Sequence, residues 1–330
     1  MKNLVCLLVL ILALPTNAAV VLVYHHIAED TPPSTSVSPE RFEAHLNYLA
    51  ENGYAVLPLA DLLATVQNDK QAPERSVAIT FDDAYQSVYD TAMPMLAERG
   101  WPFTVFVNTE ATSRTSALYM DWADLARILE AGGDVQNHSH SHDSLAFPQP
   151  DEGADQWRVR VKADITKAQT LIKDNLGIEA TIFAYPYGEY SIELQKIVDE
   201  LGLFGVGQHS GAIGTHSDFL GLPRHPFYTG ADNLDRFATR VRTQPLYIQA
   251  LPRGPMRVDR NSNVSLSLST DEDSGDLSSV NCFFDGKAVT IKQGELSNLG
   301  PFNKRRTKLN CTKALGNGAF GWWSYLFIKP

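Results

Sequence analysis

The sequence predicts an α/β fold, an incomplete (β/α) barrel followed by a small antiparallel β domain. Three observations carry this. Apolar strand-like runs alternate with amphipathic segments at least six times between residues 20 and 210, which implies a parallel sheet covered by helices. Chemically capable side chains directly follow several of those runs: His25-His26, Asp82-Asp83, His138, Pro186-Tyr187 and His209. Strand ends that converge on one mouth favour a barrel over an open sheet. Beyond Pro252-Arg253-Gly254-Pro255 the helical period disappears and a period of two replaces it.

The chain starts Met1-Lys2-Asn3, continues with an apolar run from Leu4 to Leu14 and reaches Pro15-Thr16-Asn17-Ala18. A charged start, a short apolar core and small residues at a cleavage site predict a secretory leader over 1–18. The apolar run is too short for a permanent membrane span. Val20 to Tyr24 then reads as a strand buried on both faces. Ser38-Pro39 opens a helix with Phe42, Leu46 and Leu49 on one side, ended by Gly53. Leu57–Val66 reads as a short helix, Val77–Phe81 as a strand, Tyr89–Arg99 as a helix and Phe103–Val107 as a strand. Trp122–Ala131 reads as a helix, Val135–His138 as a short strand and Trp157–Asn175 as a long helix. Ile182–Tyr185, Ile192–Leu201 and Phe204–Gly207 continue as strand, helix and strand. The barrel domain is thus expected over 19–252.

In 256–330, Val264-Ser265-Leu266-Ser267-Leu268-Ser269 alternates, as do Trp323, Tyr325 and Phe327. Asp285-Gly286 is a hairpin signal. Loss of the leader removes Cys6 and leaves Cys282 and Cys311. An even pair in an exported chain predicts one disulfide. The Trp322-Trp323-x-Tyr325 cluster reads as β core in preference to a sugar-stacking surface, and Lys304-Arg305-Arg306 as a solvated turn in preference to a contact for an anionic polymer or lipid surface.

The 330 residues are 44% apolar with a formal charge of −10. Residues 256–330 hold ten Lys/Arg and seven Asp/Glu, so the acid is concentrated in the barrel domain. That distribution argues against nucleic acid as a partner.

Two stretches carry chemistry. Thr80-Phe81-Asp82-Asp83 ends an apolar strand, and His138-Ser139-His140-Ser141-His142 follows Gly133-Asp134-Val135-Gln136-Asn137. At a strand end where the chain turns, two adjacent carboxylates can reach one cavity and do different work. One can ligate a metal and the other can move protons. On a helical turn or in a tight loop, His138 and His142, four apart, can stand on one side of a metal, with His140 facing away; on a strand all three would share a face. Two imidazoles and a carboxylate leave coordination positions open, as a catalytic metal site requires.

These stretches resemble the first two motifs of the polysaccharide deacetylase family, the NodB-homology group or carbohydrate esterase family 4. Phe183-Ala184-Tyr185-Pro186-Tyr187-Gly188 resembles the third motif and Tyr24-His25-His26 the opening strand. The resemblance covers about residues 20–230, and its Ala-Tyr-Pro-Tyr-Gly form is similar to the branch that deacetylates poly-β-1,6-N-acetylglucosamine. It implies that Asp83, His138 and His142 bind a divalent metal, zinc first, with cobalt or nickel as alternatives. It implies Asp82 as the general base for metal-activated water, and the Tyr187 backbone N–H as an oxyanion donor. A protonated His would serve the leaving amine. Two departures stand out. The Arg that often opens the third motif is replaced by Ala184, and Arg224 is the candidate to supply the guanidinium from another strand. The fifth motif is not clear, and His209 and His225 are both candidates for the acid. The implied protein is an exported, periplasmic or secreted N-deacetylase of N-acetylglucosamine-containing polysaccharide, with an export or envelope machine as a possible partner. The alternatives are a peptidoglycan or chitin-oligosaccharide deacetylase, or a catalytically weak polysaccharide-binding protein of an export system.

Overall fold

In a computed structural model, which describes residues 18–69, 73–114, 116–271 and 274–330, the run Ala19–Tyr24 (β1) is buried at every position. An all-apolar strand has no face for water, so it sits inside a parallel sheet. It pairs in parallel with Ser76–Asp82 (β2). The sheet continues through Phe103–Val107 (β3), Gly133–Asn137 (β4) and Ile182–Ala184 (β5) to Phe204–Val206 (β6). On the other side of β1 lies His225–Pro226 (β7). The predicted leader lies outside the described residues, apart from Ala18. Among the described residues, no helix is long and apolar enough to cross a membrane.

Helices Pro39–Glu51 (α1), Leu59–Asp69 (α2), Met93–Glu98 (α3), Trp122–Glu130 (α4), Ala154–Leu176 (α5), Ile192–Glu200 (α6) and Leu234–Val241 (α7) accompany these strands. Their ends follow local rules. The Ser38 side chain accepts from the Arg41 N–H at the start of α1, and Asp121 forms a capping box with Asp124 at the start of α4. Gly177, at φ 71°, ends α5 in the left-handed conformation. The helix expected over Tyr89–Arg99 is instead a π turn, Val88–Ala92, leading into α3. Pro94 offers no N–H to the turn before it, and the widened turn accommodates that loss.

The sheet curls until its two edges approach. Leu222 forms a single parallel bridge to Val206 beside β6, and three residues on, His225 pairs with Leu22 of β1. So short a closing segment leaves the barrel incomplete, as the sequence predicts. It also carries the intervening Arg224 into the barrel, where it is 0% exposed.

The C-terminal region forms small, mostly antiparallel sheets from Gln244–Pro245 (β8), Ile248–Leu251 (β9), Met256–Arg257 (β10), Val264–Thr270 (β11), Val280–Phe284 (β12), Lys287–Val289 (β13), Glu295–Leu299 (β14), Arg306–Gly316 (β15) and Ala319–Ile328 (β16). In β11, Leu266 and Leu268 are buried and the serines between them exposed. The Asp285-Gly286 turn has φ 47° and 81°, the pair of positive values a two-residue type I′ hairpin needs. Trp323, Tyr325 and Phe327 join the apolar cluster of this region, with Leu309 and Phe302. These sheets begin before the boundary expected at Pro252: β8 pairs with β16, and β9 with β11. Two very short strands, with Pro245 inside the first and Pro252 just after the second, give no local strand signal, and both pair with segments later in the chain.

Cys282 and Cys311 face each other across β12 and β15 and are joined in a disulfide. Replacing both by Ala is expected to cost about 3–4 kcal/mol, from the loop-closure entropy of the unfolded chain. The check is the denaturant midpoint of the purified variant against the parent; an unchanged midpoint would refute the expected stabilisation.

Candidate active site

Asp83, His138 and His142 converge at the mouth of the barrel, with one ligand atom from each lying within 4.8 Å of the others. Asp83 follows β2, and both histidines lie in the loop after β4. His138 Nε2 and His142 Nε2 stand 3.3 and 2.9 Å from Asp83 Oδ1. That approach does not satisfy hydrogen-bond geometry: Asp83 Oδ1 and His138 Nε2 are buried and unpartnered. Unpaired buried polar atoms are costly, and one carboxylate with two imidazoles is a suitable donor set for a divalent transition metal. The residues present therefore fit a metal.

The loop is built to hold them. His138 Nδ1 is 2.7 Å from the Ala184 carbonyl, so Nδ1 carries the hydrogen and Nε2 is free to ligate. Asn137 Oδ1 accepts from the Ser139 N–H, and Ser139 Oγ from the His142 N–H. The Asp164 carboxylate accepts from the N–H groups of His140 and Ser141. His140 turns away to Thr109 Oγ1 at 2.9 Å. Five non-glycine residues here have positive φ: Asp83 73°, Ala84 55°, Ser139 69°, His142 57° and Tyr187 60°. Such conformations cost of order 1–3 kcal/mol each and persist only where surrounding contacts impose them.

Asp82, 0% exposed, faces a different partner. Arg224 donates from Nη1 to its Oδ1 at 2.7 Å and from Nη2 to its Oδ2 at 2.8 Å. The guanidinium is itself fixed by donation to the Gly207 carbonyl and to Thr80 Oγ1, and it lies over the Phe106 ring. Burial pushes the Asp82 carboxyl up, and the positive charges of Arg224, His138 and His25 together outweigh it, so the group is held below its usual range. The guanidinium that meets Asp82 thus comes from the segment that closes the barrel.

Gln208 and His25 complete this side of the site, and neither has a role in the sequence analysis. Gln208 Nε2 donates to Asp82 Oδ2 at 3.0 Å and lies 3.4 Å from His25 Nε2. His25 follows β1 as Asp82 ends β2; its place at a strand end was legible, its proximity to Asp82 was not. A neutral Gln after β6 gave no signal. Tyr187, 38% exposed, sets its ring edge-on to His142 at 4.6 Å between centroids.

His209 and His225 lie elsewhere. Arg224 points into the barrel, so His225, the next residue in the closing strand, points out; Gln208 and His209 share a bend, in which the Gln208 side chain is the one that reaches Asp82. His209 lies toward the C-terminal sheets, 5.9 Å from the Tyr190 ring, and burial pushes its imidazole down to about 3. His225 bonds Thr243 Oγ1 through Nε2 at 3.0 Å and stands edge-on to Trp322.

Residues 69–206, which include Asp82, Asp83, His138, His142 and Tyr187, match the polysaccharide deacetylase family model. The chain is 26% identical over 205 residues to a putative polysaccharide deacetylase, YxkH, of Bacillus subtilis, covering 62% of this chain and 69% of that protein. It is 25% identical over 227 residues to the poly-β-1,6-N-acetyl-D-glucosamine N-deacetylase of Staphylococcus epidermidis, covering 63% of this chain and 78% of that one. The solved Streptococcus pyogenes deacetylase PplD, in complex with acetate, shares the fold with a TM-score of 0.58 at 23% identity, over 65% of this chain and 94% of that one. With the curled parallel sheet and the converging Asp and His side chains, these matches identify residues 69–206 as a polysaccharide deacetylase domain, the domain of a family of hydrolases of amide carbon–nitrogen bonds.

Proposed function

We propose that the protein is an exported, metal-dependent N-deacetylase acting on a poly-N-acetylglucosamine chain, with β-1,6 linkage preferred. The observation that carries this reading is the division of labour between adjacent carboxylates. Asp83 turns to two imidazoles and Asp82 to a buried guanidinium, so one is free for a metal and the other for a proton. The Staphylococcus relative, a poly-β-1,6-N-acetyl-D-glucosamine N-deacetylase by name, supports the polymer, and the Cys282–Cys311 disulfide supports an oxidising compartment outside the cytoplasm.

Asp83, His138 and His142 would hold the metal, zinc first. A bound divalent metal supplies Lewis-acid polarisation of an acyl carbonyl and makes water more acidic. Asp82 takes the proton from the attacking water. Arg224 and Gln208 fix its carboxylate in place and keep it ionised. The Tyr187 N–H would serve the oxyanion. We assign the proton for the leaving amine to His25, whose Nε2 lies 3.4 Å from Gln208 Nε2, in preference to His209 or His225; burial pushes its imidazole down, so the proton it gives is the one Asp82 takes from the attacking water.

The test is acetate release from β-1,6- and β-1,4-linked N-acetylglucosamine oligomers by chelator-treated and zinc-reconstituted protein. We expect release only after metal is restored, and faster on the β-1,6 series. Faster release from the β-1,4 series would move the substrate to chitin oligosaccharides or peptidoglycan. No release from either, with metal bound, would overturn the reading.

A further inference from the structure

The stretch Lys304-Arg305-Arg306, read from sequence as a solvated turn, leads into β15 against the barrel mouth. Arg305 pairs with Glu189, Nε to Oε1 at 2.8 Å and Nη2 to Oε2 at 2.9 Å. Glu189 is 1% exposed, and its other side-chain partners are the Ser144 hydroxyl at 2.6 Å and Arg306, whose Nε lies 3.8 Å from Oε1. A buried carboxylate needs a compensating charge, and here the C-terminal region supplies it. Arg306 donates to the Tyr187 carbonyl. Both guanidinium groups lie over the Tyr187 ring, at 5.4 and 5.8 Å.

One residue pair further along β15, Lys308 Nζ donates to the Gln208 carbonyl at 2.5 Å. Burial pushes this ammonium down to about 8, a desolvation cost that a solvated tail would not carry. Gln208 is the residue whose side chain reaches Asp82 and His25. The two loops also touch each other: a Cβ on Gly188 would lie 2.6 Å from Gln208 Cβ. Ser324 of β16 adds a bond to the Ser210 carbonyl at 2.6 Å.

We propose that the C-terminal β region is a wall of the active site, in which Arg305, Arg306 and Lys308 are positioning residues for the Tyr187 and Gln208 loops. Arg306 holds the left-handed Tyr187 backbone, and Lys308 acts on Asp82 at one residue's remove. The C-terminal sheets are therefore a part of the catalytic unit and not a separate binding module. The kinetic side of this proposal rests on the deacetylase reading; the clamp itself does not.

The experiment compares full-length, zinc-reconstituted parent, Lys308→Met, Arg306→Gln and Arg306→Lys. Acetate release gives kcat and KM, metal analysis gives zinc content, and amide hydrogen exchange follows residues 186–190 and 207–210. We expect Lys308→Met and Arg306→Gln to lower kcat by about 10- to 100-fold, the scale of a small misplacement of reacting groups, with KM and zinc content little changed. Arg306→Lys is expected to recover part of the loss. Exchange should rise in the two loops and stay at the parent level in β1 to β4. Unchanged kcat and unchanged loop exchange in folded variants would overturn the proposal. So would exchange that rises equally through the whole barrel, which would mark a folding role alone. If the parent itself releases no acetate, the deacetylase reading fails, and the exchange pattern still decides the clamp: a rise confined to the two loops upholds it, and no rise overturns it.

Discussion

Asp82→Asn is expected to lower kcat for acetate release by about 10²–10⁴-fold, the usual contribution of a positioned general base. Zinc content should stay at the parent level, because Asp82 bonds Arg224 and Gln208 while Asp83 faces the imidazoles. An amide also offers Arg224 one acceptor where the carboxylate offers two, so part of a buried ion pair is lost as well. Stability should fall, and the kinetic comparison must be made well below the variant's unfolding midpoint. Near-parental kcat with full zinc occupancy would remove Asp82 from the base role. Loss of zinc together with activity would mean that Asp82 also supports the metal set.

Arg224→Met is expected to destabilise the protein by about 3–5 kcal/mol, the range for breaking a buried ion pair from one side. The Asp82 carboxylate, 0% exposed, would be left without its guanidinium. Its pKa would then follow burial and rise, so base function would fall at neutral pH. Arg224→Lys is not expected to rescue, since a point ammonium cannot reproduce two parallel bonds to the carboxylate together with those to Gly207 and Thr80. The double variant Asp82→Leu with Arg224→Met separates the two effects. It should regain much of the stability, because an apolar pair of similar volume often costs nothing in place of a buried ion pair, and it should remain inactive. Urea midpoints of the three variants check this; additive losses in the double variant would show that the two residues are not energetically coupled.

Local signals set the elements of the barrel. β3 was read with its observed ends, Phe103 to Val107, because a short all-apolar run flanked by Pro102 and a polar turn permits little else. α1 was legible from Ser38-Pro39 and its apolar face. The disulfide followed from counting cysteines. The candidate metal trio was legible because its members cluster in sequence at two strand ends, which share one mouth of the barrel. Long-range pairings were not legible: β8 and β9 find their partners in β16 and β11, and no local period announces that.

The site divides along the same line. Sequence by itself determined Asp82, Asp83, His138 and His142 as candidates, since two adjacent acids after an apolar strand and two imidazoles four apart are unusual enough to mark chemistry. Only the tertiary structure decided what surrounds them. Arg224 is aimed at Asp82 because its segment closes the barrel, while its neighbour His225 is turned outward by strand alternation. His25 joins the site because β1 pairs directly with β2, and Gln208 because curling of the sheet brings the end of β6 round to them. The basic stretch before β15 becomes a clamp because a distant β sheet folds back onto the mouth. Residue type and local period are written along the chain, but the partner of a buried charge is chosen by which segments the fold brings within 3 Å, a distance scale on which sequence separation has no bearing.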